Sequence, residues 1–112
     1  MREKEIETIL RDEVRRLGGK AYKWVSPGND GVPDRIVIFP NQRPIFVELK
    51  SETGRLTRVQ QSQIKKLQQL GQYVVVVIGV RGLAQFFRDS GYTETYNRLS
   101  RKYDLFEGDG DR

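Results

Sequence analysis

The chain contains neither cysteine nor histidine. Without cysteine there is no disulfide framework and no thiolate metal site, which fits a reducing cytoplasm, the expected location. Without histidine, His-ligated zinc, Ser-His-Asp hydrolysis and histidine-dependent nuclease chemistry are excluded. Acid–base work must fall to Asp, Glu, Lys, Tyr or water held by a metal. Long apolar runs are missing too: the longest, Tyr73 to Ile78, is far short of the roughly 20 residues that span a membrane. Met1-Arg2-Glu3-Lys4-Glu5 is charged and helical in character, unlike a signal peptide. Acids are outnumbered, with 15 Asp and Glu against 20 Lys and Arg, a net charge of +5. That balance favours a polyanionic partner, although an ordinary basic surface has it as well.

What is present is a chain of 112 residues, enough for one core, with 37% hydrophobic and 31% charged residues. The expected domain is 1–107, with 108–112 as a flexible tail. Glu3 to Leu17 carries Ile6, Leu10, Val14 and Leu17 at helical spacing and stops at Gly18-Gly19. Ala21 to Val25 reads as a short strand, and Ser26 to Pro33 is dense in turn residues, hence a loop. Arg35 to Phe39 and Ile45 to Leu49 read as a hairpin. Thr57 to Leu70 is a second helix, and Tyr73 to Ile78 a strand expected to be buried on both faces. Leu83 to Arg88 and Tyr92 to Phe106 read as further helical material. The expected fold is α/β, a single domain with a mixed central sheet flanked by helices in αβββαβ order.

Pro33-Asp34, followed fourteen residues later by Glu48-Leu49-Lys50, carries the chemistry. Two carboxylates can hold a hard cation beside a phosphodiester, and an ammonium can orient or help deprotonate the attacking water. A hairpin symmetric about Gln42 sets Ile36 against Glu48 and Asp34 against Lys50. Asp34 and Glu48 are then diagonal neighbours on one face, roughly 7–8 Å apart. A two-residue slip sets them directly opposite, whereas a one-residue slip separates them. Glu48 interrupts an apolar strand, where an unpaired carboxylate costs several kcal/mol; a metal or Lys50 would relieve that cost.

Each residue also has a plainer reading. Asp34 suits a turn, and Glu48 with Lys50 suits the solvent side of an edge strand. Gln60 fits a capping box with Thr57 as well as a site role. Glu7, one turn from Glu3, is either a solvated helical acid or part of a metal shell. Arg11, Arg15, Arg16, Lys65 and Lys66 form either a phosphate-binding face or a merely soluble one. Tyr22 and Trp24, alternating with Lys20 and Lys23, suit core packing better than base stacking.

These segments together resemble the VRR-NUC family of the PD-(D/E)XK nuclease superfamily, over about Arg2 to Phe87. They are Glu3-Lys4-Glu5-Ile6-Glu7, Ser26-Pro27-Gly28, Gly31-Val32-Pro33-Asp34, Phe46-Val47-Glu48-Leu49-Lys50, Leu56 through Gln60, and Tyr73-Val74-Val75-Val76-Val77. The resemblance is to the compact, stand-alone phage and bacterial form. The family's Val-Arg-Arg signature survives only as Val80-Arg81-Gly82. The resemblance implies a restriction-endonuclease-like fold and a metal-dependent DNA endonuclease. Asp34, Glu48 and the Leu49 carbonyl would ligate Mg2+ or Mn2+. Glu7, in preference to Glu3, would hold the metal's water shell. Lys50 would position the water and Gln60 would steady it, with cleavage leaving a 5′-phosphate and a 3′-hydroxyl. Stand-alone members resemble Holliday junction resolvases, which implies a homodimer on four-way DNA. Duplex, flap or single-stranded DNA is the alternative substrate, and a non-catalytic DNA-binding accessory the alternative role. The aromatic segment after Leu83 is a candidate dimer surface or a packed helix.

Overall fold

A computed structural model describes residues 1–106; the expected tail at 108–112 lies outside the described residues. The elements are α1 (Glu3–Arg16), β1 (Lys20–Lys23), β2 (Arg35–Ile38), β3 (Ile45–Lys50), α2 (Arg58–Gln69), β4 (Val74–Ile78), α3 (Gly79–Asp89) and α4 (Thr93–Lys102). The strands lie in the order β1-β2-β3-β4. β1/β2 and β2/β3 are antiparallel, while β3/β4 are parallel, joined by the α2 crossover. The mixed α/β sheet expected from the sequence is therefore the observed one.

Strand alternation divides the side chains between two faces. Val37, Ile45, Val47, Leu49 and Val77 face a core closed by Ile6, Leu10 and Val14 of α1, Leu83, Phe86 and Phe87 of α3, and Leu99 of α4. Phe39 anchors the far end of that core, with its ring 4.8 Å from Tyr92 and 6.0 Å from Phe86. α1 ends because Gly18, at φ +86, turns the chain into the left-handed region that disfavours other residues. The opposite face is partly covered by α2, whose buried side chain is Ile64, and by Trp24, with its ring 5.3 Å from that of Phe46. β4 is thus an edge strand with one half-open face, with Ile78 51% exposed, rather than a strand buried on both sides.

The hairpin register differs from the symmetric expectation. Arg35 pairs with Val47, Ile36 with Phe46 and Val37 with Ile45, so the pairing centres on Asn41 instead of Gln42. The cause is local: Pro40 and Asn41 are the middle of a turn closed by the Gln42 N–H donating to the Phe39 carbonyl (3.3 Å). Asn41 takes φ +58, which asparagine tolerates at that position. The two-residue slip sets Asp34 opposite Glu48.

Most of the C-terminal aromatics are packed, Phe106 alone of the described ones being exposed. Phe86 and Phe87 are buried, and Tyr92, Tyr96 and Tyr103 lie partly buried against the core. The packed-helix reading of the segment after Leu83 is the one the fold supports. α3 also starts earlier than Leu83, directly from β4, because Gly79 and Gly82 obscure its first turn in the sequence.

Candidate active site

The loop before Asp34 is held in place from below. Gly31, at φ +83, lies so close to α2 that a Cβ there would meet Val59 Cγ1 at 2.6 Å. Gln63 Nε2 donates to the Asp30 carbonyl at 3.2 Å, a second tie between loop and helix. The start of α2 is itself fixed by Thr57, whose Oγ1 accepts from the Gln60 N–H at 3.1 Å. Gln60 Oε1 in turn accepts from the Thr57 N–H at 2.9 Å. Gln60 is therefore a capping residue, with only its amide NH2 left to serve the site.

Asp34 is clamped between strands. Its carbonyl accepts from the Trp24 N–H (3.1 Å), and its Oδ2 accepts from the Leu49 N–H (2.8 Å). Leu49 thus contributes its backbone to the site and its fully buried side chain to the core. Glu48, across from Asp34, is 1% exposed, and neither of its carboxylate oxygens has a hydrogen-bond partner. Lys50 Nζ stands 4.0 Å from Glu48 Oε2, an ion-pair distance too long for a hydrogen bond. Burial, then the Asp34 charge beside it, pushes the Glu48 carboxyl up to about 8; Lys50 opposes the shift, while a proton shared with Asp34 and then the Glu3 charge add to it. The oxygens therefore go unsatisfied only when both groups are ionised.

Beside Lys50 a recess of about 390 Å³ opens, lined by Arg55, Gln61, Val76 and Ile78 among others. Arg55 and Gln61 were missed in the sequence, where a loop arginine and one glutamine among several carry no distinguishing signal. Lys50 lines this recess, whereas Glu48, 1% exposed, lies beneath the surface beside it.

Glu7 is engaged elsewhere. Its Oε2 accepts from Arg35 Nε at 2.8 Å and from Lys23 Nζ at 3.0 Å. Burial raises its carboxyl, but the hydrogen bonds from Lys23 and Arg35 outweigh that and hold it below the usual range. Of the two α1 acids, Glu7 is committed to Lys23 and Arg35, while the Glu3 charge acts weakly on Glu48. Among the described residues no three acids converge into a ready-made metal cage.

The donor set nevertheless fits a hard cation. Two opposed carboxylates, one with both oxygens buried and unsatisfied, make an all-oxygen site deficient in positive charge. Magnesium-type ions are commonly held by one or two carboxylates with water completing the shell. A buried carboxylate without a partner is otherwise costly.

A family model for the VRR-NUC domain matches residues 3–81. The chain belongs to the VRR-NUC family. A phage protein named "Putative nuclease p44", from Acyrthosiphon pisum secondary endosymbiont phage 1, is 48% identical over 77 residues. The match covers 69% of this chain and 83% of that one. Two solved structures described as VRR_NUC domain proteins share the fold. One has a TM-score of 0.62 at 26% identity, covering 69% of this chain and 83% of its own. The other has a TM-score of 0.64 at 18% identity, covering 85% and 90%. In this VRR-NUC domain Arg81, at the end of the matched range, has a structural partner. Arg81 Nη1 donates to the Leu105 carbonyl at 2.7 Å, tying α3 to the chain after α4.

Proposed function

We propose that this nuclease-family domain is a divalent-metal-dependent endonuclease of DNA that acts as a homodimer on four-way junctions. The observation that carries the chemistry is Asp34 set opposite Glu48, with both Glu48 oxygens unsatisfied and Lys50 4.0 Å away. Asp34, Glu48 and the Leu49 carbonyl would hold Mg2+ or Mn2+, with Glu3 supporting the water shell. When bound, the cation supplies charge to offset the negative charge developing on the phosphate.

The chain's own residues supply the rest. Lys50, held against Glu48, aims its ammonium at the recess and orients the attacking water. The Leu49 N–H fixes the Asp34 carboxylate across from Glu48. Gln60 is a positioning residue: through the cap it sets the start of α2, and through Gly31 the loop ahead of Asp34. Attack at phosphorus would break the bond to the 3′-oxygen and leave a 5′-phosphate. The homodimer rests on symmetry, since one site cuts one strand and a two-fold dimer presents two sites to a two-fold junction.

The test is cleavage of a labelled four-way junction beside matched linear duplex, flap and single-stranded DNA, with Mg2+, Mn2+ or chelator. Paired nicks at the junction, dependent on metal, are the expected result. Equal cutting of every substrate would discard junction selectivity, and no cutting with either metal would leave a DNA-binding accessory.

A further inference from the structure

A concentration of positive charge outside the site lies between α1 and the edge strand β1. There Arg11, Arg15, Lys20, Lys23 and Arg35 converge, with the Tyr22 ring, on an open recess of about 280 Å³. Three elements contribute the five cations, and only two carboxylates balance them. Asp12 accepts from Arg11 Nε at 3.1 Å and from Arg15 at 3.5 Å; Glu7 takes Lys23 and Arg35. Lys20 lies over the Tyr22 ring, 5.1 Å from its centroid. Arg16, Lys65 and Lys66, grouped with Arg11 and Arg15 in the sequence, do not line the recess.

The cations extend along the recess. Arg11 and Arg15 are one turn apart on α1, a rise of about 6 Å at 1.5 Å per residue. Lys20 and Lys23 stand at the two ends of β1, about 10 Å apart at roughly 3.3 Å per residue. Those spans match two to three nucleotides at about 3.4 Å each along one strand of duplex DNA. Arg35, the register partner of Lys23 on β1, follows Asp34 directly. Strand alternation turns the Asp34 and Arg35 side chains to opposite faces, so the recess lies on the α1 side of the sheet, one strand position from the site. Gathering like charges along one groove costs repulsion that a polyanion would relieve.

We infer that the α1–β1 groove binds the sugar-phosphate backbone of the duplex arm flanking the cut, over two to three consecutive phosphates. Arg11, Arg15, Lys20 and Lys23 face the phosphates, while Glu7 and Asp12 hold the cations in line. The groove gives register and affinity and reads no bases. The inference rests on the nuclease reading above.

The test measures binding of a short labelled duplex in chelator, across a salt series. It compares the wild type, the triple variant Arg11→Gln/Arg15→Gln/Lys20→Gln, and a control, Arg88→Gln/Arg101→Gln/Lys102→Gln, on α3 and α4. All six positions are exposed, and thermal melts check folding. The expected result is a fall of about 2 to 3 in the salt slope for the groove variant, since each phosphate contact contributes about 0.9. Affinity should fall ten-fold or more, with KM for cleavage rising and kcat held. Equal slopes for the groove variant and the wild type, or an equal fall in the control, would overturn the inference. A wild type that binds duplex with the predicted groove dependence yet never cuts with metal would sink the nuclease reading and leave the groove standing. A wild type that does not bind duplex at low salt would overturn the groove.

Discussion

Replacing Glu48 by Gln should make the metal-free protein more stable while ending its catalysis. The Glu48 carboxyl is pushed up to about 8 by burial and by Asp34. An unfolded glutamate titrates near 4.5. Below pH 4.5 both states carry the proton and the residue costs nothing. Between pH 4.5 and 8 the unfolded chain ionises while the folded site resists, so stability is lost as pH rises. Above 8 the loss is complete. At pH 7 the penalty is about 3 kcal/mol, taking 1.36 kcal/mol per pH unit over the interval crossed. A neutral amide of nearly the same shape removes the charge and keeps the volume, so most of that penalty should be recovered. Urea denaturation in chelator at pH 5, 7 and 8.5 measures it. The variant should gain little at pH 5, about 2–3 kcal/mol at pH 7 and more at pH 8.5. Equal stability of the two proteins at pH 7 and 8.5, or a parallel pH dependence, would refute the account of Glu48 as a strained, unpartnered acid.

Other substitutions separate chemistry from architecture. Lys50→Ala should fold normally yet cut at least about a hundred-fold more slowly, as loss of a positioned polar group in the transition state requires; single-turnover kinetics reads this directly. Gly31→Ala should cost about 2 kcal/mol or more in a urea titration, because φ +83 and a 2.6 Å approach to Val59 leave no room for a Cβ. Unchanged stability there would mean that the loop is not pinned by α2. Glu3→Gln should weaken metal-dependent cutting at limiting Mg2+, whereas Glu7→Gln should leave cutting largely intact. The Glu7 change should instead lower stability by about 1–2 kcal/mol, by leaving Arg35 half-buried without its acid. Thr57→Ala should cost about 1 kcal/mol through loss of the helix cap.

The sequence made some of this legible for physical reasons. Ile6, Leu10 and Val14 announced the buried face of α1 because helical spacing repeats locally, and all three are fully buried. Asp34 and Glu48 were readable as same-face partners because strand alternation survives any even slip. The register was less accessible, since it depended on Asn41 taking a positive φ within the six-residue connection between β2 and β3. Gln60 announced both of its readings through its spacing from Thr57. What the sequence hid was long-range pairing. Nothing local says that Glu7 meets Arg35, twenty-eight positions away. Nor does anything local show that Arg11 and Arg15 converge with Lys20 and Lys23 while Lys65 and Lys66 do not.

The central claim is that Asp34 and Glu48 together hold a divalent cation. Titration calorimetry with Mn2+, on the wild type, Asp34→Asn and Glu48→Gln, tests it most directly. The expected result is one site in the wild type, lost or weakened at least about ten-fold in each variant, as removal of one of two charged ligands demands. Binding of the same affinity and stoichiometry in all three proteins would contradict it.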